Sequence, residues 1–542
     1  MAVSTGLSIP TSVTSYVSRQ PGAEHNPAPP LRPADRFLAT AQRPLWSQAD
    51  LSALRALVTE TKTESSAAFP APVASGVPHP SPPPLDVKER KWKDDIIYFM
   101  LTDRFHDGDP SNNFGVEKGN IHRWNGGDLK GATEKLDYIK SLGATAVWIT
   151  PPMANQDTFI NTDGYHGYWP IDHFTVDKHM GTMETFKEFV ETAHEKGIKV
   201  LLDIPLNHTA WEHPYWTDPA KYDWYHHNGD VTDWDDEWQA ENCSIFGLPD
   251  LAQESPVVEK YLMDVGKFWA ATGVDGFRLD AVKNVPKSFW AKFNKEMHEF
   301  AGDDFYLVGE YYHGDPSKYP VFQHQDMDGL VDYPLYYTID DVFAKGDSMR
   351  KLAGRMAECH QHYPHPEMMS VFLDNHDTKR FLTKAGGDRD KLKLALAFAM
   401  TINRIPTIYY GTEVSMESDN EGWSETSRRP MEWNKDPNML AHFQKLAAIR
   451  NDSIALREGS FLEMWQDDQV FAYGRVHEQG EAVVVLNNST DRQTRDIPVR
   501  AESKLKDGAV LKDLMSGKTV TVQNGRIQCE VDRKSAGIYL PV

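Results

Sequence analysis

Three acids carry the chemistry legible in the chain: Asp280, Glu310 and Asp377, each closing a run that begins apolar. Asp280 ends Gly-Phe-Arg-Leu-Asp at 276–280, where strand alternation places Arg278 and Asp280 on the same face. A cation beside a carboxylate favours its ionised form, which suits a nucleophile. Glu310 follows Leu-Val-Gly and would meet two anions if the three acids converge. Like charge and partial burial favour a protonated carboxyl, as a general acid requires. Asp377, beside His376, would remain an anion that grips hydroxyls and steadies an oxocarbenium-like transition state. His208 and His376 are natural hydroxyl donors there. Cleaving a glycosidic bond with retention needs two carboxyl groups about 5–5.5 Å apart, a separation that adjacent strands of a barrel supply.

Such a meeting requires elements that bring distant residues to one rim. From about residue 92, apolar, β-branched runs recur at Asp95–Arg104, Ala146–Thr150, Lys199–Ile204, Gly276–Asp280, Phe305–Glu310, Gly329–Tyr336, Ser370–Asp374 and Ile405–Gly411. Helical patterns such as Met183–Lys196 and Pro256–Thr272 lie between them. Eight strands alternating with helices predict an α/β fold, a (β/α)8 TIM barrel over 91–454, with chemistry at the carboxyl ends of its strands. Those ends carry Asp103, Asp203, Asn207, His208, Asp280, Glu310, Asp374, His376 and Asp377.

The connection at about 208–255 is too long for an ordinary βα loop and predicts an inserted subdomain after strand 3. It holds Trp211, Trp216, Trp224, Trp234, Trp238, Tyr215, Tyr222 and Tyr225, flat faces suited to sugar rings or to the subdomain's own core. Residues 455–542 change to short alternating runs and predict a C-terminal antiparallel β-sandwich. Residues 1–90 are rich in Ser, Ala, Thr and Pro and predict a low-complexity, disordered arm, with one short helix at Ser47 to about Thr61.

Composition narrows the partners. A net charge of −22 argues against nucleic acid or an anionic membrane. Three cysteines, Cys243, Cys359 and Cys529, form no paired framework and read as buried free thiols. No apolar run is long enough to span a membrane, and residues 1–30 lack a charged start followed by an apolar core. These features predict the cytoplasm, with a non-standard export route left open. Nothing in the chain sets an oligomeric state. Asp107, Asp109, Asn112 and Asn113, followed by Gly126 and Asp128, gather oxygen ligands on a Gly/Pro-rich loop, a composition that suits a hard cation such as calcium as well as ordinary turns.

The motifs resemble those of glycoside hydrolase family thirteen, the α-amylase family. Asp-Ile-Pro-Leu-Asn-His at 203–208 is similar to the family's third-strand motif and 276–284 to its fourth; Val-Gly-Glu at 308–310 is similar to the fifth and Phe-Leu-Asp-Asn-His-Asp at 372–377 to the seventh. Leu-Pro-Asp-Leu at 248–251 resembles the motif of the inserted domain, and Ile-Pro-Thr-Ile-Tyr-Tyr-Gly-Thr-Glu at 405–413 that of the eighth strand. The resemblance implies Asp280 as nucleophile, Glu310 as acid/base and Asp377 as transition-state stabiliser. It also implies Arg278, His208, His376 and Lys283 around the bound sugar, with His166 and Tyr168 of Tyr-His-Gly-Tyr-Trp at 165–169, Tyr168 stacking on that sugar.

The 107–128 loop resembles the first-loop calcium site of cyclodextrin glucanotransferases, which implies one structural calcium. Asn207 and Asp250 match a second calcium position, but Asn284 stands where many α-amylases have a histidine. Asn403-Arg404 likewise replaces a frequent Arg-Gly. The implied activity is retaining, endo-acting hydrolysis of α-1,4-glucans or maltooligosaccharides. The alternatives are a glucanotransferase or cyclomaltodextrinase of the same family and, more remotely, a silent binding protein, against which the three acids stand. The chain's end after one β domain leans toward the simpler hydrolase.

Overall fold

The structure, a computed structural model, describes residues 87, 89–419 and 424–542. The expected arm and its short helix lie outside the described residues, apart from the last few positions before residue 91.

Eight strands form one parallel sheet: β1 (Ile97–Met100), β2 (Ala146–Ile149), β3 (Lys199–Ile204), β4 (Gly276–Leu279), β5 (Tyr306–Gly309), β6 (Gly329–Leu330), β7 (Ser370–Val371) and β8 (Ile405–Tyr409). The order runs β6-β5-β4-β3-β2-β1-β8-β7. A parallel bridge between Val331 and Ser370 joins the two outer strands and closes the barrel. Every residue of these strands is buried, which is why they read as apolar runs without alternation. Between them run amphipathic helices, among them Met183–Glu195, Pro256–Ala270, Lys287–Ala301 and Met349–His362. The first of these begins in a reciprocal capping box between Thr182 and Thr185.

The first, sixth and seventh strands are much shorter than the sequence pattern suggested, the seventh ending at Val371. The first gives way to a helical turn at Thr102–Phe105. The sixth ends at Leu330, because Asp332 caps a helix over Tyr333–Ile339 by accepting the Leu335 N–H, with Pro334 in its first turn. That early helix brings Tyr333 to the barrel rim.

The long connection after β3 folds as short helical turns at Pro214–Thr217, Pro219–Trp224 and Glu237–Asn242. Of its aromatics, Trp224 and Tyr225 are buried, whereas Trp211, Tyr222 and Trp238 are exposed. The C-terminal region contains β9 (Ser460–Gln466), β10 (Val470–His477), β11 (Gly480–Asn487), β12 (Gln493–Pro498), β13 (Val510–Asp513), β14 (Thr519–Thr521), β15 (Arg526–Val531) and β16 (Ser535–Pro541). A six-stranded antiparallel sheet, β9-β10-β11-β16-β13-β14, accompanies a pair, β12-β15. The two share a core of Met464, Val483, Val485, Ile497, Leu511, Ile527 and Val531. Cys243, Cys359 and Cys529 are free and buried.

Candidate active site

Parallel pairing of β3 with β4 sets Asp203 directly beside Arg278. Arg278 is almost wholly buried and its guanidinium collects three carboxylates. Nη1 donates to Asp203 Oδ1 at 2.9 Å and to Asp280 Oδ1 at 2.6 Å, and Nη2 lies 2.8 Å from Glu310 Oε2. Ala281, in the left-handed region at φ 49°, turns the chain after Asp280 so that its N–H points at the same Glu310 oxygen, 3.3 Å away. The third acid approaches from β7. Asp377 accepts from Arg428 Nη2 at 3.0 Å, and its other oxygen lies 3.2 Å from His376 Nε2. Its side chain is 30% exposed, against 12% for Asp280 and 11% for Glu310, so the three keep an open edge on one side.

Charge balance decides their protonation. Burial pushes the Asp280 carboxyl well above its usual range against the pull of Arg278, with Glu310, Asp203 and Asp377 adding to the rise. Arg278 opposes that rise, but its one guanidinium is divided among three acids. Burial likewise raises Asp203 to about 6 despite Arg278 and the hydroxyl of Tyr168. A cluster with more carboxylates than cations holds a proton at pH values where separate carboxyls have lost theirs.

The aromatic and histidine residues pack around this group. Tyr168 donates its hydroxyl to Asp203 Oδ2 at 2.7 Å and stacks on His376 at 5.2 Å and 10°, keeping part of its surface exposed. His166 accepts the Tyr168 N–H through Nδ1 at 3.0 Å, which leaves its proton on Nε2. Burial and the nearby Arg428 keep its ring neutral, and burial does the same for His376. Both ring nitrogens of His208 are engaged: Nε2 donates to the Tyr168 carbonyl at 2.9 Å and Nδ1 faces Asn207 at 3.3 Å. His208 thus holds the segment that presents Tyr168. Lys283 stands apart, half-buried, with Asp235 and Asp233 as its charged neighbours and His313 nearby.

Four participants escaped the sequence reading in these roles. Asp203 was legible as a strand end, and its register against Arg278 was not. Tyr333 donates to Glu310 Oε1 at 3.0 Å, Asn375 donates to Tyr333 at 3.2 Å, and Arg428 clamps Asp377.

The loop at 107–128 brings its candidate ligands together unevenly. Asp107 Oδ1, Asn112 Oδ1 and Asn113 Oδ1 are buried with no hydrogen-bond partner. Gly126 sits against Asp107 and Asn113 at φ 93°, where a Cβ would lie 2.5 Å from Asn113 Oδ1 and 3.2 Å from Asp107 Oδ2. One carboxylate and two amide oxygens around a position only glycine can fill fit a hard cation. Asp109 and Asp128 are instead occupied with backbone N–H groups, Asp109 with Ser111 and Asp128 with Gly131 and Asp109. No group of three or more His, Cys, Asp or Glu side chains suits a metal among the described residues; the loop's donors are mostly amides. At the second position Asn207 Oδ1 and Asp250 Oδ1 are also buried without partners, while His226 holds the other Asp250 oxygen at 2.7 Å.

Comparison with known proteins agrees with this geometry. Residues 99–453 match the model of the α-amylase catalytic domain, and residues 461–536 that of the neopullulanase-like C-terminal domain. A β/α-amylase from Paenibacillus polymyxa is 38% identical over 468 residues, 83% of this chain and 38% of its own length. An Anoxybacillus α-amylase structure superposes with a TM-score of 0.78 and 37% identity, covering 84% of this chain and 99% of that one. CldA, a cyclomaltodextrin glucanotransferase with a three-domain ABC distribution, gives 0.75 and 32%, covering 82% and 99%. Because that transferase is matched over nearly its whole length, the inference from chain length toward a hydrolase does not hold. The closed barrel, the acids gathered on Arg278 and the extent of the match establish that the chain belongs to the α-amylase family, glycoside hydrolase family thirteen.

Proposed function

We propose that the protein cleaves α-1,4-glucosidic bonds in starch-type glucans or maltooligosaccharides with retention of configuration. The observation that carries this is the seating of Asp280 and Glu310 on the two terminal nitrogens of one buried guanidinium. That arrangement suits the roughly 5–5.5 Å spacing of a nucleophile and acid/base pair. Asp280 attacks the anomeric carbon while Glu310 gives its proton to the departing glycosidic oxygen. The resulting glycosyl-enzyme is released when Glu310 takes a proton from an incoming water. Asp377, held by Arg428, faces the positive charge that develops on the sugar, and Tyr168 offers it a flat face. His166 Nε2 and the exposed part of Asp377 grip its hydroxyls.

Hydrolysis and glucan transfer share this intermediate and differ in the acceptor. Products of maltoheptaose digestion, separated by chromatography with their anomeric configuration followed by NMR, test the reading. Shorter α-anomeric products support it. Products longer than the substrate would turn it into a transferase, and β-anomers would overturn retention.

The same proposal includes one structural calcium held by Asp107, Asn112 and Asn113. The ion would satisfy three oxygens that burial otherwise leaves bare, beside the Asp107 oxygen that Lys118 already pairs.

A further inference from the structure

We infer that Tyr333 is a positioning residue that selects which oxygen of Glu310 carries the transferable proton and sets the alkaline limit of the reaction. The inference rests on Glu310 being the acid/base.

The direction of each hydrogen bond fixes the argument. Asn375 Oδ1 accepts the Asp377 N–H at 3.0 Å, so its amide nitrogen faces Tyr333. That nitrogen can only donate. The Tyr333 oxygen is therefore an acceptor from Asn375, and its own O–H must donate to Glu310 Oε1 at 3.0 Å. The Tyr333 ring is fully buried and packs on Tyr312 at 4.4 Å and Phe372 at 5.1 Å, so the hydroxyl has nowhere else to turn. Glu310 Oε2 already faces two donors, Arg278 Nη2 and the Ala281 N–H. A proton on Oε2 would point at N–H groups. It belongs instead on the Oε1 lone pair that Tyr333 leaves free.

Every element around the carboxyl takes part in its charge environment. Arg278 and Asp280 come from the end of β4, Asp203 from β3, Tyr312 from beyond β5, and His376 and Asp377 from beyond β7. Of these, Arg278 favours the carboxylate and the acids oppose it. Tyr333 adds a neutral donor on Oε1. In the first step the Oε1 proton moves to the glycosidic oxygen, which also receives the electron pair of the breaking C–O bond. Glu310 is left as a carboxylate with the Tyr333 O–H directed at its new charge. In the second step water's proton returns to Oε1 as its oxygen bonds the sugar carbon and Asp280 departs. A donor aimed at the charged form stabilises that form more than the acid.

Tyr333→Phe removes the donor and keeps the ring. The expected result is an alkaline limb of kcat/KM on maltoheptaose shifted upward by about 1 pH unit, with the melting temperature retained. Asn375→Ala frees the Tyr333 hydrogen and should give a smaller upward shift that vanishes in a Tyr333→Phe background. With α-maltosyl fluoride, whose leaving group needs no proton, the upward shift should be absent. An unmoved limb in Tyr333→Phe overturns the inference, as does an Asn375→Ala shift that persists without the Tyr333 hydroxyl. Glu310→Gln retaining full activity on maltoheptaose overturns the acid/base assignment itself, a result distinct from either.

Discussion

The rim of the barrel and the loop at 107–128 both concentrate carboxylates and amides, and they solve the resulting charge problem in opposite ways. At the rim, Arg278 is a cation built into the chain, and the oxygens of Asp203, Asp280 and Glu310 that face it are paired. On the loop, Asp107 Oδ1, Asn112 Oδ1 and Asn113 Oδ1 have no partner although they are buried. Buried oxygens without donors cost free energy, and Lys118, which pairs with the other Asp107 oxygen at 2.8 Å, does not reach them. The rim is preorganised by the fold alone, as a site that must change its charge during a reaction requires.

The largest test of this difference is on the reaction itself. Asp280→Asn keeps the contact with Arg278 but removes the proposed nucleophile, and kcat on maltoheptaose should fall by about 10⁴-fold or more. Retention of full activity would mean that the rim acids are merely structural. Next comes the cation. Arg278→Leu strands three buried carboxylates and should cost about 3–5 kcal/mol in denaturant unfolding. The deficit should shrink between pH 8 and pH 5, as the stranded carboxyls take up protons. A loss that does not depend on pH would show that lost packing, not charge, is responsible.

The barrel strands were legible because closure buries both faces of every strand and so writes each as an apolar run ending at the rim. The three acids were legible for the same reason. What could not be read was register across strands. Asp203 sits opposite Arg278 only through the β3–β4 pairing, and no single run announces that. Tyr333 was hidden in a stretch that reads as one long strand, although Asp332 and Pro334 mark a helix start. Arg428 lies 51 residues beyond its partner Asp377, at the end of a five-residue 3-10 helix too short to leave a periodic pattern. The loop was legible as a composition, but composition did not distinguish oxygens left bare, as on Asn112 and Asn113, from those spent on backbone, as on Asp109 and Asp128.

Removing the cation is the third test. At calcium a hundredfold above its dissociation constant, the ion should stabilise the protein by about 2.7 kcal/mol. Chelator should then lower the calorimetric melting temperature, and the bound metal should register as one calcium per chain by elemental analysis. In Asp107→Ala the melting temperature should already be low and chelator should leave it unchanged. An equal response in both proteins would place the ion elsewhere.

The smallest effect separates the two regions by the sign of their pH dependence. Burial raises Asp203 from 3.8 to about 6, so its contribution to stability is greatest below the unfolded value and is lost as pH rises to about 6. Asp107 is shifted the other way: burial pushes it up, but the hydrogen bonds from Lys118 and Asn113 outweigh this and lower it. Its contribution is present above the unfolded value and disappears as pH falls through the folded one. Asp203→Asn should therefore remove a downward slope in unfolding free energy between pH 4 and about 6, while Asp107→Asn, compared without calcium, should remove an upward slope that lies below about pH 4. Denaturant midpoints measured at half-unit pH intervals read both. Slopes of the same sign would mean that Asp203 is stabilised as an anion after all, and that Arg278 outweighs its burial.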